Sequence, residues 1–249
     1  MNEDLHSELE SKRQVRLADH VCACQVQDQM IFLDLHKDKY IGVDGPQLPA
    51  LSAALLGHRA LADIQEDPSR TALMDEWLRR LCHQQLLSDE PVTKPARTRH
   101  SLAEPARGLT LEDEDRAGAS TGGHLLRLWR ATVVTASWLR RRRLADIADR
   151  VEALRAHNAH RQDGLSLAVM RAEAARYTRL RPFALTTYDR CLNDSLALIH
   201  FLATQGHFPR WVIGVRVQPF GAHSWVQSGD IVLNDLPENV RHYRPILVV

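Results

Sequence analysis

Cys191, His223 and Asp235 are the residues of this 249-residue chain whose types and order are best suited to chemistry. A cysteine thiolate is a nucleophile, an imidazole pairs with it and moves protons, and a carboxylate orients the imidazole. Cys191 stands where a helix is predicted to begin, and a helix N-terminus offers partial positive charge and free N–H groups. His223 starts one predicted strand and Asp235 ends the next, with a turn near Gly229 between them. The pattern therefore predicts a thiol-nucleophile site.

A second interpretation of each cysteine is that it is a small buried apolar residue. We favour it for Cys22 and Cys24, which share one face of a predicted strand, and for Cys82, which lies beside the apolar stripe of a predicted helix. The four cysteines match no zinc-ribbon spacing, so we expect neither a metal nor a cofactor. Free thiols in a reducing, cytoplasmic setting are the expectation.

The composition limits the classes of protein. Hydrophobic residues make up 44% and charged residues 25% of the chain, which is typical of globular domains. The net charge of +1 argues against nucleic-acid binding through bulk charge. The chain has no run of 18 apolar residues and its first residues lack the apolar region of a secretory signal, so we expect no membrane association.

Residues 1–88 predict a small unit of three strands followed by helices. Polar breaks separate three short segments rich in β-branched and aromatic residues, which is typical of an antiparallel meander. Residues 1–15 show no periodic pattern and are interpreted as a loose tail. The predicted strands are VCACQVQ, QMIFLDL and KYIGV, and the predicted helices cover about 48–58 and 70–87.

Residues 89–123 carry scattered prolines, glycines and charges, which predicts a flexible linker. Residues 124–249 then predict three helices, a fourth from Cys191 to Gly206, and an antiparallel sheet. The last part reads RWVIGVRVQPF, HSWVQ, IVLND and PILVV, each a predicted strand. The whole chain is therefore expected to be of the α+β class with two domains.

The segment from Tyr188 through Val249 resembles the transglutaminase-like leader peptidases of lasso-peptide biosynthesis, the B proteins. The resemblance rests on RCLNDSLALIHFLATQG, WVIGV, PF-x-AHSWV and VLND, in that order. It implies a transglutaminase- or papain-like domain in which Cys191 is the nucleophile, His223 the general base and acid, and Asp235 its orienter. It also implies a thiol protease of antibiotic biosynthesis that cuts a ribosomally made lasso precursor between leader and core, before a separate ATP-dependent cyclase closes the macrolactam.

Residues 1–88 are similar to the PqqD-like recognition element of such RiPP systems, a winged-helix-like fold. The similarity rests on LDL-x(4)-YIGV, a short motif. It implies that the leader adds as a strand to an exposed sheet edge, beside the last helix. The same side chains are alternatively core residues. The implied leader-binding residues are Lys39, Tyr40, Ile41, Val43, Leu73, Trp77 and Arg80.

Three other functions stay open from the sequence. An acyltransferase uses the same triad but passes the acyl group to an amine, so its product carries an amide instead of a free carboxylate. A leader-binding delivery protein needs no triad. A winged helix can bind DNA, but only Arg70, Arg79 and Arg80 lie on its last helix, and DNA binding is steeply salt-dependent.

Overall fold

A computed structural model describes most of the chain in two compact units. The units are residues Met1–Thr98 and Arg99–Val249. Both combine helices with antiparallel sheets, in agreement with the predicted α+β class. The described residues are 16–45, 48, 52, 55, 68–88, 102–119, 121–158, 166–183 and 191–249.

The first unit is built on the predicted three-stranded meander. Strands β2 (Val21–Val26), β3 (Gln29–Asp34) and β4 (Lys39–Asp44) pair antiparallel in chain order. Gln27 and Asp38 have positive φ values of 51°, which let the chain reverse tightly between neighbouring strands. Strand β3 is central and almost wholly buried, so its apolar residues form the middle of the core.

Helix α1 (Pro68–His83) closes this core, but it ends four residues before the predicted boundary at 87. Gln85 adopts φ 63°, a left-handed conformation that cannot continue a helix. The chain then forms β5 (Leu87–Ser88), which pairs with β1 (Arg16–Leu17), a ladder that the sequence analysis did not predict. The core contains Ala18, Val21, Ala23, Met30, Phe32, Val43, Leu48, Leu81, Leu86 and Leu87.

Two of the sequence predictions for this unit fall largely outside the described residues. The tail over residues 1–15 is one of them. The bounds of the helix predicted over 48–58 are the other, although Leu48, Ser52 and Leu55 are each helical.

The second unit contains the four helices that the sequence predicts and two short ones that it does not. The predicted helices are α3 (Gly122–Arg141), α4 (Leu144–His157), α5 (Leu167–Leu180) and α6 (Cys191–Ala203), and the two short ones are α2 (Leu111–Ala117) and α7 (Pro237–Val240). Helix α6 packs against α3, α5 and the sheet. Within the part of the chain that the structure describes, none of the helices is long and apolar enough to cross a membrane.

The sheet of the second unit has the order β8-β7-β6-β9, all antiparallel. Its strands are β6 (Arg210–Val217), β7 (Phe220–Ser228), β8 (Ile231–Val232) and β9 (Arg244–Val248). The sequence predicts one strand over 231–235, but the ladder stops at Val232. The Leu233 N–H still donates to the Val226 carbonyl at 2.9 Å, but the Val226 N–H donates to the Asn234 side chain and not to a backbone carbonyl.

The prediction that residues 89–123 form a flexible linker is wrong for the second half of that range. Arg107 bridges to Ile231 at the sheet, and α2 packs on α5. The carboxylate of Asp113 is fully buried, accepts from the Thr110 backbone N–H and lies 2.7 Å from Arg171 Nη2. Charged residues that appear linker-like in the sequence are therefore ordered here because they form a buried, hydrogen-bonded ion pair.

Candidate active site

Helix α6 fixes the position of Cys191, its first residue. The helix is the most apolar of the unit, and its side chains from Ser195 to Leu202 are almost entirely buried. Because it packs against two helices and strand β7, its N-terminal turn cannot shift independently of the sheet. Cys191 is only partly buried, so its sulfur stays within reach of a substrate.

Among the described residues, the short strand β8 leaves part of the β7 edge without a neighbouring strand. The Leu233 N–H still donates to the Val226 carbonyl at 2.9 Å, but the Val226 N–H donates to the Asn234 side chain, at Oδ1, at 2.8 Å. The backbone N–H of Ser224 acts on the Cys191 thiol and helps to lower its pKa. The site is therefore built into the gap that the early end of β8 creates.

His223 and Asp235 form the second half of the site. His223 Nε2 lies 2.5 Å from Asp235 Oδ2. The other carboxylate oxygen accepts from the Leu236 N–H at 2.7 Å and from Asn239 Nδ2 at 2.9 Å, which fixes its orientation. Since Nε2 is taken by Asp235, Nδ1 is the ring nitrogen available for the hydrogen bond to Cys191. The structure thus brings all three predicted residues together.

The electrostatics of the site favour a thiolate-imidazolium pair. Burial raises the pKa of the Cys191 thiol, but the hydrogen bond and charge of His223 and the N–H groups of Ser224 and Leu192 outweigh it and lower the pKa. Burial lowers the pKa of His223, but the hydrogen bonds to Asp235 and Cys191 and their charges raise it from 6.5 to about 9. Both groups are therefore shifted toward their charged forms at neutral pH.

The pKa of Asp235 is also shifted toward the charged form. Burial favours the neutral acid, yet the hydrogen bonds from His223, Asn239 and Leu236 and the charge of His223 hold the pKa below its usual value. A carboxylate that stays ionised is what a partner for an imidazolium requires.

Asn234 and Asp194 connect the loop of Asp235 to the helix of Cys191. Asn234 Nδ2 donates to Asp194 Oδ2 at 2.9 Å and to Ser195 Oγ at 3.2 Å. Arg181 Nη1 lies 3.1 Å from the same Asp194 oxygen. Asn234 and Asp194 were not predicted as site residues, although each lies within three positions of a predicted one. The network sets the distance between the thiol and the acid.

Aromatic rings line the other side of His223. The Tyr243 ring lies 5.2 Å and the Trp225 ring 6.2 Å from the imidazole, between ring centroids. Trp225 is almost fully buried and donates through Nε1 to Gln227 Oε1, so it is both core residue and site wall. Gly214 makes room for it, since a Cβ there would lie 2.7 Å from the Trp225 ring.

The predicted leader-binding residues lie on β4 and α1 of the first unit. Lys39 is exposed, Tyr40 and Ile41 are half-buried, and Val43 is buried in the core, so its side chain is not accessible to a peptide. The guanidinium of Arg80 stacks over the Trp77 ring at 5.8 Å. Leu73 belongs to α1, but its side chain lies outside the described residues.

The Cys191-His223-Asp235 arrangement can do acyl-transfer chemistry without further groups. The thiolate can attack a carbonyl, the imidazolium can protonate the leaving group, and the helix N-terminus can stabilise an oxyanion. Among the described residues, no three His, Cys, Asp or Glu side chains are grouped so that they could hold a metal ion.

Comparisons with known proteins agree with this chemistry. Residues 128–248 match the sequence profile of the transglutaminase-like superfamily. A stretch of 47 residues is 49% identical to the Microcin J25-processing protein McjB of Escherichia coli and covers 19% of this chain and 23% of that protein. The match thus spans less than a quarter of this relative. The comparison with solved structures found no match. The second unit is therefore similar to transglutaminase-like domains.

Proposed function

We propose that this protein is a cysteine peptidase that cuts the leader from a ribosomally made lasso-peptide precursor. The observation that carries the proposal is that His223 contacts Asp235 at 2.5 Å and, together with nearby backbone N–H groups, lowers the pKa of the Cys191 thiol. The similarity to the Microcin J25-processing protein supports the substrate class, because processing is what the name of that relative states.

The first half-reaction forms a thioester. The Cys191 thiolate attacks the carbonyl of the last leader residue, and the Cys191 N–H is the first candidate donor to the oxyanion. The imidazolium of His223 then donates its proton to the departing amine, which is the N-terminus of the core. The C–N bond breaks as the C–S bond becomes an acyl thioester.

The second half-reaction releases the leader. Neutral His223 accepts a proton from water, which attacks the thioester carbonyl, and the leader leaves with a free carboxylate. The thiolate and the imidazolium are restored for the next cycle. Asp235 stays ionised throughout and stabilises the imidazolium whenever it forms.

The first unit would capture the leader as an added strand along β4. Main-chain hydrogen bonds supply affinity in this mode, and the neighbouring α1 surface with Trp77 and Arg80 supplies specificity. Holding the leader on one unit raises the effective concentration of the cut site at the other. The core released in this way is the substrate of an ATP-dependent cyclase, the second expected partner.

The test is mass spectrometry of a precursor peptide incubated with wild type, Cys191→Ala and Cys82→Ala. Cys82 is exposed and far from the site in sequence, so its variant controls for loss of any thiol. We expect one cut between leader and core with wild type and Cys82→Ala, and none with Cys191→Ala. Leader binding, measured by fluorescence anisotropy, should persist in Cys191→Ala.

Two outcomes would contradict the proposal. Cleavage by Cys191→Ala would exclude this cysteine as the nucleophile. A leader product that carries an amide to an added amine, without the free acid, would instead identify an acyltransferase.

A further inference from the structure

The second unit contains a cavity that the proposed reaction does not use. Its volume is about 350 Å³, and it lies where α6 has ended and β6 begins, with Gly206 and Arg210 in its wall. Cys191 is at the other end of α6, a helix of 13 residues, so the two sites are roughly 20 Å apart at 1.5 Å per residue. The cavity is thus separate from the candidate active site.

Two arginines, Arg155 and Arg210, line this cavity. Neither Arg155 nor Arg210 donates a side-chain hydrogen bond or forms an ion pair with any residue that the structure describes, and Arg155 Nη1 is fully buried. Burial and the neighbouring charge of Arg210 lower the pKa of Arg155 to about 10. Burial likewise lowers the pKa of Arg210, and the exposed Glu152 only partly offsets it.

An unpaired buried cation is costly, and two that converge on one cavity cost more because they repel each other. A guanidinium offers a planar fork of donors that matches a carboxylate. The rest of the wall is mixed: polar side chains such as His207 and Gln227 alternate with an apolar group made of Leu102, Leu167, Met170, Phe208 and Pro209. A ligand that matches both the two arginines and the apolar side chains of the wall is a carboxylate attached to an apolar group.

We propose that Arg155 and Arg210 form a binding site for such a carboxylate. The carboxylate belongs either to a small organic acid or to the C-terminus of a peptide, since both present the same group beside an apolar side chain. This site can be tested independently of the proposed peptidase activity, because the experiment measures binding to the intact protein and not cleavage.

The experiment measures the thermal melting temperature of the full chain with three probes. Sodium N-acetylleucinate should raise the melting temperature by a few degrees above an equal concentration of sodium chloride, whereas N-acetylleucine amide should not. A four-residue acetylated peptide ending in leucine separates the two sources: a larger shift than that of N-acetylleucinate indicates a peptide terminus, and a smaller one a free acid.

Two variants test the residues. Arg155→Gln should lose the response to N-acetylleucinate and melt at a higher temperature than wild type without ligand, because it removes the unpaired buried charge. Arg210→Gln should also lose the response, which keeps the test valid if Arg155→Gln fails to fold. Arg140→Gln, an exposed arginine outside the cavity, should respond like wild type. Equal shifts with the acid and the amide, or a normal response in both cavity variants, would overturn the proposal.

Discussion

The two units differ in where they bury polar side chains. In the described residues of the first unit, Asp34 and Ser52 are the buried polar side chains; Asp34 accepts from the His36 N–H and Ser52 donates to Gln25 Oε1. The described residues of the second unit include seven buried polar side chains, and four of them, Asn193, Ser195, Ser224 and Gln227, lie in α6 or β7. A unit that buries several hydrogen-bonded polar groups holds side chains in one arrangement, as a reaction centre requires.

The first unit is organised to present a backbone edge. Among the described residues, β4 pairs with β3 on one side only, and five of its six residues, all except Val43, are exposed or half-buried. Strand addition at such an edge uses main-chain groups that every residue carries. Catalysis requires particular side-chain types and is therefore easy to recognise in a sequence. Peptide capture along a strand uses main-chain groups and is therefore hard to recognise.

Apart from removal of the nucleophile, the largest expected effect comes from Asp235→Asn, which tests whether the negative charge of Asp235 supports the reaction. The amide keeps the size of the side chain but removes the charge that helps raise the pKa of His223 to about 9. We expect kcat/KM for precursor cleavage to fall about 10²- to 10⁴-fold. The alkaline limb of the pH-rate profile, near pH 9 in wild type, should move to lower pH.

Stability gives a second readout of the same variant. A pKa raised on folding stabilises the protein fully below the unfolded value of 6.5, and this gain is lost as the pH rises toward about 9. Asp235→Asn should therefore flatten the fall in stability between these pH values. Asp230→Asn, which loses only an exposed ion pair with Arg107, should keep the wild-type profile. An unchanged alkaline limb in Asp235→Asn would contradict the assigned role.

The next largest effect is expected from Asn234→Ala, which removes the link between the two halves of the site. Without its amide, Asp194 Oδ2 and the Val226 N–H each lose a hydrogen bond, and the loop of Asp235 is no longer tied to α6. We expect kcat to fall about 10- to 100-fold with KM nearly unchanged, as for other groups that orient reacting residues.

Asn158→Ala serves as the control for this positioning role. Asn158 also bonds to the backbone, at the end of α4, but has no contact with the site. It should lose some thermal stability and keep its kcat. If both variants lose the same stability and kcat follows stability alone, Asn234 has only a structural role.

A smaller effect is expected from Gly214→Ala, which tests how tightly the second unit packs around His223. The added methyl group would lie 2.7 Å from the Trp225 ring and 2.9 Å from Tyr243 Cβ. Overpacking of this kind costs about 1–3 kcal/mol in the free energy of unfolding, measured by urea denaturation. Gly221→Ala on the same hairpin comes closest to the Arg216 side chain, whose Nε lies 3.2 Å away and can shift, and meets Tyr243 only at 3.8 Å, so it should be better tolerated. Equal losses in both variants would disprove the tight fit.

The sequence predicts the elements of both units well and their ends less well. The apolar periodicities of α3 to α6 and the short apolar runs of β2 to β4 depend on local burial, which the sequence carries directly. The end of β8 does not, because it depends on the Asn234 side chain accepting the Val226 N–H in place of a backbone carbonyl. The order of residues 102–119 depends likewise on Arg171, which lies 58 positions from Asp113.

For the candidate site, residue types and order are enough to suggest Cys191, His223 and Asp235. The sequence does not reveal the residues that hold them. Asn234 and Asp194 are ordinary polar residues in the sequence, and only the packing of α6 beside β7 brings them within 2.9 Å. Tyr243 reaches His223 only because β9 pairs with β6 and carries the preceding turn beside the imidazole.

The smallest expected effect concerns the first unit and its exposed surface. Arg80→Ala removes a guanidinium that stacks on Trp77 on the α1 surface proposed to contact the leader, so a leader bound there loses one contact. We expect KM for the full precursor to rise about fivefold, which corresponds to about 1 kcal/mol, with kcat unchanged. Arg79→Ala, one position along α1, is the matched control. A short substrate that spans only the cut site should be cleaved equally by both variants, since it has no leader to lose. If Arg80→Ala slows the short substrate as well, the first unit contributes to the reaction itself and the separation of capture from chemistry fails.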